Sequence, residues 1–492
     1  MWAAAMAVAA LVAPPASAQA PPTLEAWPRD RLGGDADRDG ITDGSVTPEQ
    51  ARDPKIVLVL NLTGAACRPG ATYAWRIDGE PATVRPDGDC RFTTEVDADA
   101  EYELELDVTS GGETLQFELT VPATEHLVVS LGDSVASGEG NPDRRTDLNR
   151  ARWQHRICHR SLRSGHAQAA IALEQADRRS AITFVPLGCS GATVTRGLLA
   201  PYVGIEPDRD RTEQPPQVDV LNDLAADRPV DAVLISVGAN DVHFGNIVQF
   251  CSAVDDCPRA RFDSRRPSGA SRDPAMPTLD DAVTAALDRL RGRYSDLDAR
   301  LAPGIPRDRV LLVEYFNPTR GPGGRYCAPR LGFGKITADE SQWAHERVLG
   351  RLNAVVAEAA AEHGWTLVAG VDERFDGHGI CAGADDRWVR TPLESFFRQD
   401  ALPAFTSVAG TLHPNGRGHI ATGRLIRPEL ASVVGITDLE PVEEGPTDDG
   451  ESTLLGMRTA LLLALVAALA IAITVALILL IRRHRRRRPR SA

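Results

Sequence analysis

Four residues far apart in the chain have the types that acyl transfer requires: Ser134, Gly191, Asn240 and His413. A hydroxyl becomes a nucleophile when a base stands within hydrogen-bond reach, and the anion formed on the attacked carbonyl needs N–H donors already aimed at it. Ser134 lies in Gly132-Asp133-Ser134, Gly191 in Gly188-Cys189-Ser190-Gly191-Ala192, Asn240 in Gly238-Ala239-Asn240-Asp241, and His413 in His413-Pro414-Asn415-x-x-Gly418. In this reading Ser134 attacks an ester carbonyl and His413 takes its proton, returning it to the leaving alkoxide. The main-chain amides of Ser134 and Gly191 and the side chain of Asn240 form the oxyanion hole. On its own stretch, Ser134 reads more plainly as a turn serine that caps a helix.

What raises Ser134 above a cap is the set of elements that carry the motifs. Apolar runs occur at 127–131, 182–187, 232–237, 310–316 and 366–369, and the first three end in the glycine-bearing motifs. Between the third and fourth runs Val283, Leu287, Leu290, Tyr294, Leu297 and Leu301 recur at helical spacing. Thr337-x-x-Glu340 is a capping box ahead of Val348, Leu352, Val355 and Val356. Strands alternating with helices predict a parallel sheet covered on both faces. Parallel strands point the same way, so the three motifs meet along one sheet edge, with His413 delivered by a loop.

These four blocks, in this order over about 125–434, resemble the SGNH (GDSL-type) hydrolases, a superfamily of esterases, lipases and acetylhydrolases. The cysteine-bearing block containing Gly191 is similar to the secreted actinobacterial lipase and esterase branch. The resemblance implies a three-layer, flavodoxin-like α/β domain, ester hydrolysis through a Ser-His acyl-enzyme mechanism, and no cofactor for catalysis. It also implies an aspartate three residues before the histidine, where this chain has Gly410. The Gly410 main-chain carbonyl is one candidate for orienting His413, and a remote carboxylate, Asp385 or Asp386, is another. Ser190 is a rival nucleophile, because Gly188-x-Ser190-x-Ala192 approximates an α/β-hydrolase elbow. That reading leaves Gly132-Asp133-Ser134 and Asn240 without roles. Asp133 and Asp241 are expected to brace loops, His155 and His159 to serve surface or loop packing, and His378 and His419 to pack near His413.

The 492 residues leave room for more than this domain. Residues 55–122 carry short strand-forming runs separated by Pro69-Gly70, Pro86-Asp87-Gly88 and Gly111-Gly112, which predicts a small Ig-like β-sandwich. Ahead of it, in a segment spanning 21–54, Asp35, Asp37, Asp39 and Asp43 alternate around Gly40 like half of an EF-hand loop, so a structural calcium ion competes with a solvated acidic linker. The hydrolase domain is assigned to 125–436, followed by an acidic linker over 437–452.

Charge and hydropathy place the chain in a cell. The net charge is −14, yet seven of the last eleven residues are arginines, so everything before them is strongly acidic and nucleic acid is excluded as a partner. Residues 459–481 contain no charge, enough to cross a bilayer core of about 30 Å. A transmembrane helix is expected within 453–481, and the arginine tail 482–492 places the C-terminus in the cytoplasm and the catalytic domain outside. Residues 1–20 read as a signal peptide without the usual positive start. Eight cysteines suit an oxidising compartment, and sequence proximity pairs Cys67 with Cys90, Cys158 with Cys189, Cys251 with Cys257 and Cys327 with Cys381. The expected protein is a membrane-anchored extracellular ester hydrolase acting on a lipid or small acyl ester. An O-deacetylase of acetylated glycans and an inactive surface-binding protein are the alternatives.

Overall fold

A computed structural model of the chain describes residues 22–33, 44–53, 55–67, 70–143, 151–331, 334–399, 408–437 and 439. The candidate calcium carboxylates Asp35, Asp37, Asp39 and Asp43, the signal segment, the uncharged run 459–481 and the arginine tail lie outside the described residues. Among the described residues no helix is long and apolar enough to cross a membrane, and no cluster of three metal-ligating side chains occurs.

The apolar runs form a five-stranded parallel sheet: β1 (Thr124–Gly132), β2 (Ser180–Pro186), β3 (Ala232–Ser236), β4 (Val310–Val313) and β5 (Thr366–Val368), in spatial order β2-β1-β3-β4-β5. Every residue from Leu127 to Gly132 is buried, which requires cover on both faces. Helices supply it. Gly165–Ala176 packs against Gly416–Val434, and Leu279–Arg300 against Gly350–His363, which completes the three layers. The long helix begins at a Thr278 cap and buries Val283, Leu287, Leu290, Tyr294 and Leu297 on one face. In this strand order the chain reverses direction across the sheet between β1 and β3, the crevice where open α/β sheets bind ligands.

Two further four-stranded antiparallel sheets precede the parallel one. One contains Leu24–Pro28, Lys55–Leu62, Arg91–Asp97 and Arg85–Pro86; the other contains Thr72–Ile77, Glu80–Pro81, Glu101–Ser110 and Glu113–Pro122. Ile56, Leu58, Leu60, Phe92 and Val96 from the first sheet and Trp75, Leu104, Leu106 and Val108 from the second share one apolar cluster. The described residues of the segment 21–54 pack against both the antiparallel sheets and the parallel one. Leu24–Pro28 pairs along Lys55–Leu62, whereas Leu32 and Ala51 enter the core around the parallel sheet and the Val46 N–H donates to the Phe184 carbonyl at 3.2 Å. Arg31 and Arg228 both clasp the buried Glu125 at the start of β1, at 2.6 and 2.8 Å.

All eight cysteines are bonded, Cys67 to Cys90, Cys158 to Cys189, Cys251 to Cys257 and Cys327 to Cys381.

Candidate active site

At the end of β1 the backbone turns at Gly132, whose φ is +137°. A Cβ there would lie 2.0 Å from the Ser236 carbonyl oxygen, so glycine alone lets β1 approach β3 this closely. Asp133 then caps a single helical turn, Ser134–Ser137, by accepting the Val135 N–H at 3.0 Å. Its other oxygen accepts the Tyr315 hydroxyl at 2.6 Å. Burial pushes the Asp133 carboxyl up to about 7 against these hydrogen bonds. Asp241 likewise holds a neighbouring loop, accepting the Val194 N–H and the Arg293 guanidinium. Both aspartates brace the turns that carry their neighbours.

His413 comes from the other end of the chain. Leu412 precedes it with φ +64°, a left-handed conformation that a leucine adopts only where its surroundings enforce it. The enforcement is visible: the Leu412 N–H and the His413 carbonyl both pair with the main chain of Arg390, at 2.9 and 2.8 Å, and Asn415 caps the following helix. This clamp brings His413 Nε2 to 2.7 Å from Ser134 Oγ, across 279 residues of sequence. Burial holds the imidazole below its usual pKa, opposed by the charge of Glu139, which suits a ring that accepts a proton.

Gly191 and Asn240 line the same cavity as Ser134 and His413. Asn240 Nδ2 donates to the Ala192 carbonyl at 2.9 Å, which fixes the amide and leaves its second hydrogen for a ligand. Among the described residues the main-chain N–H groups of Ser134 and Gly191 have no acceptor. The buried disulfide Cys158–Cys189 anchors the Gly191 loop, and the Ser190 N–H donates to the Cys158 carbonyl at 3.1 Å. The cavity holds about 370 Å³ and is walled mainly by apolar side chains, among them Val135, Val242, Phe244, Ile247, Phe316, Val348, Leu352 and Leu412.

Several expectations are corrected. The Gly410 carbonyl accepts the main-chain N–H of His413 at 3.0 Å rather than its ring, because the tight turn folds the backbone onto itself. The His413 ring instead lies near the carbonyls of Thr411 and Ala409, without a well-aligned partner for Nδ1. Asp385 and Asp386 are exposed, and their main-chain carbonyls bond to Arg417 and His378. The Ser190 hydroxyl lies near the Glu139 carboxylate and helps to lower it. Of surface or loop packing, His159 shows the second: it is 1% exposed, stacked on Trp153 and bonded to Glu139 at 2.7 Å. His419 is buried and accepts the Gly165 N–H at 3.0 Å, and His378 stacks on Trp388.

Glu139 is the site residue that sequence reasoning missed. Burial alone would raise its carboxyl, yet His159, His413 and Ser190 bring it down to about 2, so it is ionised. Its place five residues after Ser134, between Gly138 and Gly140, was the available signal.

The fold and the site together define a three-layer α/β protein whose Ser134 stands at the carboxyl end of β1, beside the central strand β3, hydrogen-bonded to His413. Residues 130–421, more than half of the chain, match the GDSL-like lipase/acylhydrolase family, and the chain belongs to that family, within the SGNH hydrolases. It is therefore an ester-hydrolysing enzyme by family. A search of curated proteins finds no match. Among solved structures the chain is similar to a carbohydrate acetylesterase from Xanthomonas citri, at 13% identity and a TM-score of 0.25, covering 78% of this chain and 72% of that one.

Proposed function

We propose that the protein is a serine ester hydrolase that cleaves esters of medium-length or longer acyl chains, with Ser134 as nucleophile and His413 as general base. The observation that carries this reading is the 2.7 Å contact between Ser134 Oγ and His413 Nε2 at the mouth of an apolar cavity. As Oγ bonds to the ester carbonyl carbon, its proton passes to Nε2, and the carbonyl oxygen becomes an anion held by the Ser134 and Gly191 N–H groups and Asn240 Nδ2. Collapse of that intermediate breaks the bond to the alkoxide, which receives the proton from Nε2. Water then releases the acid by the same steps, with His413 again the base.

The cavity favours a long acyl group over acetyl. Its lining is mainly apolar, and each methylene buried against it contributes about 0.8 kcal/mol. Acetate would leave most of this wall unsatisfied. The uncharged run 459–481 followed by arginines supports a single membrane anchor, with the enzyme on the outer face and lipid esters within reach.

Fluorophosphonate labelling and a series of p-nitrophenyl esters from acetyl to dodecanoyl test the proposal on the full chain. Ser134→Ala is expected to abolish labelling and to lower kcat by at least about 10³-fold, while wild-type kcat/KM rises with acyl length. Labelling that persists in Ser134→Ala would move the nucleophile elsewhere. A series that peaks at acetyl would overturn the acyl assignment.

A further inference from the structure

Position 410, three residues before His413, has no room for a side chain. A Cβ there would lie 2.1 Å from Gln399 Oε1 and 2.8 Å from the Gly140 Cα. Gln399 is itself buried, and its Oε1 accepts the Gly410 N–H and the Ser395 hydroxyl, both at 2.7 Å. Its Nε2 donates to Oε1 of Glu139. The other Glu139 oxygen takes the His159 Nδ1–H at 2.7 Å. Gly140, next in the chain, packs on the histidine: a Cβ there would stand 3.3 Å from the His413 Cβ. A wholly buried carboxylate is thus one residue from the backbone under His413 and is tied through one amide to the turn that carries it.

We propose that Glu139 is the positioning carboxylate of His413, acting through the Gln399 amide on the turn and through its charge on the ring. The inference rests on Ser134 and His413 being the reacting pair. When Ser134 gives up its proton the ring becomes an imidazolium in a dry site, and a fixed negative charge there stabilises it far more than the same charge would in water. The side chain that would occupy position 410 is displaced by the amide that delivers Glu139. The other ionisable groups facing the ring are His159, which opposes the imidazolium, and His419, which is buried beside it, with Arg390 bracketing the turn. Glu206 stands beyond His159, 3.8 Å from its Nε2.

Glu139→Gln in the full chain tests this, with kcat and KM measured across pH on the best ester of the acyl series. Removing the charge that stabilises the imidazolium is expected to lower kcat by about 10- to 100-fold, with KM within about threefold. The acid limb of kcat/KM should move to lower pH, because Glu139 acts on His413 more strongly than His159 does. Gln399→Met keeps the charge and cuts the tether, so it should slow turnover with the limb unmoved. Should Glu139→Gln fail to fold, Glu139→Asp is expected to shift the limb in the same direction by less. Wild-type kcat in Glu139→Gln, or a loss of kcat with the acid limb unmoved in both Glu139 variants, would overturn the inference. Full hydrolysis by Ser134→Ala would instead remove the reading on which it rests.

Discussion

Two walls meet at Ser134, and they are built on opposite principles. The wall on the acyl side is a cavity lined by valine, leucine, isoleucine and phenylalanine, where surface area sets the energy and no single contact is obligatory. The wall behind His413 is a buried polar cluster of Glu139, His159, Gln399, Arg390 and His419, in which each group depends on a specific neighbour. On the proposed reading the first decides which ester is held, and the second decides where protons sit. Volume changes should therefore retune the apolar wall by small factors. Charge changes should break the polar one.

The largest effect is expected where the polar wall loses a charge partner. His159→Phe keeps a ring over Trp153 but leaves the Glu139 carboxylate buried without its cation, at a cost of about 3–5 kcal/mol. The pH dependence follows from both partners. Glu139 is lowered on folding, so its contribution is full above its usual carboxylate value and fades as pH falls toward about 2. His159 is raised, by Glu139 and Glu206 against burial, so its contribution is full below the usual imidazole value and fades as pH rises through the raised one. The loss of melting temperature in His159→Phe should thus be greatest between about pH 4.5 and 6.5. A pH-independent loss would mean that shape rather than charge holds this wall together.

Asn240→Ala tests the edge where the two walls share the substrate. Removing one oxyanion donor is expected to lower kcat by about 10²–10³-fold with little change in KM, because the donor acts on charge that appears only in the transition state. The same variant frees the Ala192 carbonyl from its 2.9 Å partner. Unchanged melting would separate the loss of the donor from a loosened Gly191 loop.

The apolar framework was far more legible in the sequence than the polar wall. All five parallel strands coincide with apolar runs, and Ser134, Gly191, Asn240 and His413 were each marked by a glycine, asparagine or proline that recurs in a motif. Hydrophobic period and turn chemistry are local signals, so a single sequence carries them. Glu139 carried only the local signal of its place between two glycines, since its partners lie 20 residues away at His159 and 260 away at Gln399. His159 looked like a loop residue because its burial is created by Trp153 and Glu139, which only the fold brings to it. Arg91–Asp97 and Leu24–Pro28 escaped for the same reason in weaker form. Arg91–Asp97 turns only Phe92, Thr94 and Val96 inward, and Leu24–Pro28 is five residues ending in proline, recognisable only once it pairs with Lys55–Leu62.

The smallest effect is expected on the apolar wall, and its smallness is the point. Val348 lies on a π-helical turn, Ala344–Leu349, and lines the cavity. Val348→Phe adds bulk to that wall and changes no charge. The acyl chain should then lose room for about two methylenes, which at 0.8 kcal/mol each is about a tenfold drop in kcat/KM for dodecanoyl relative to butanoyl esters. Butanoyl turnover and the acid limb of the pH profile should stay as they are, because the change reaches neither the proton nor the oxyanion. If the acid limb moved as well, the two walls would be coupled, and the division between holding the ester and placing the proton would fail.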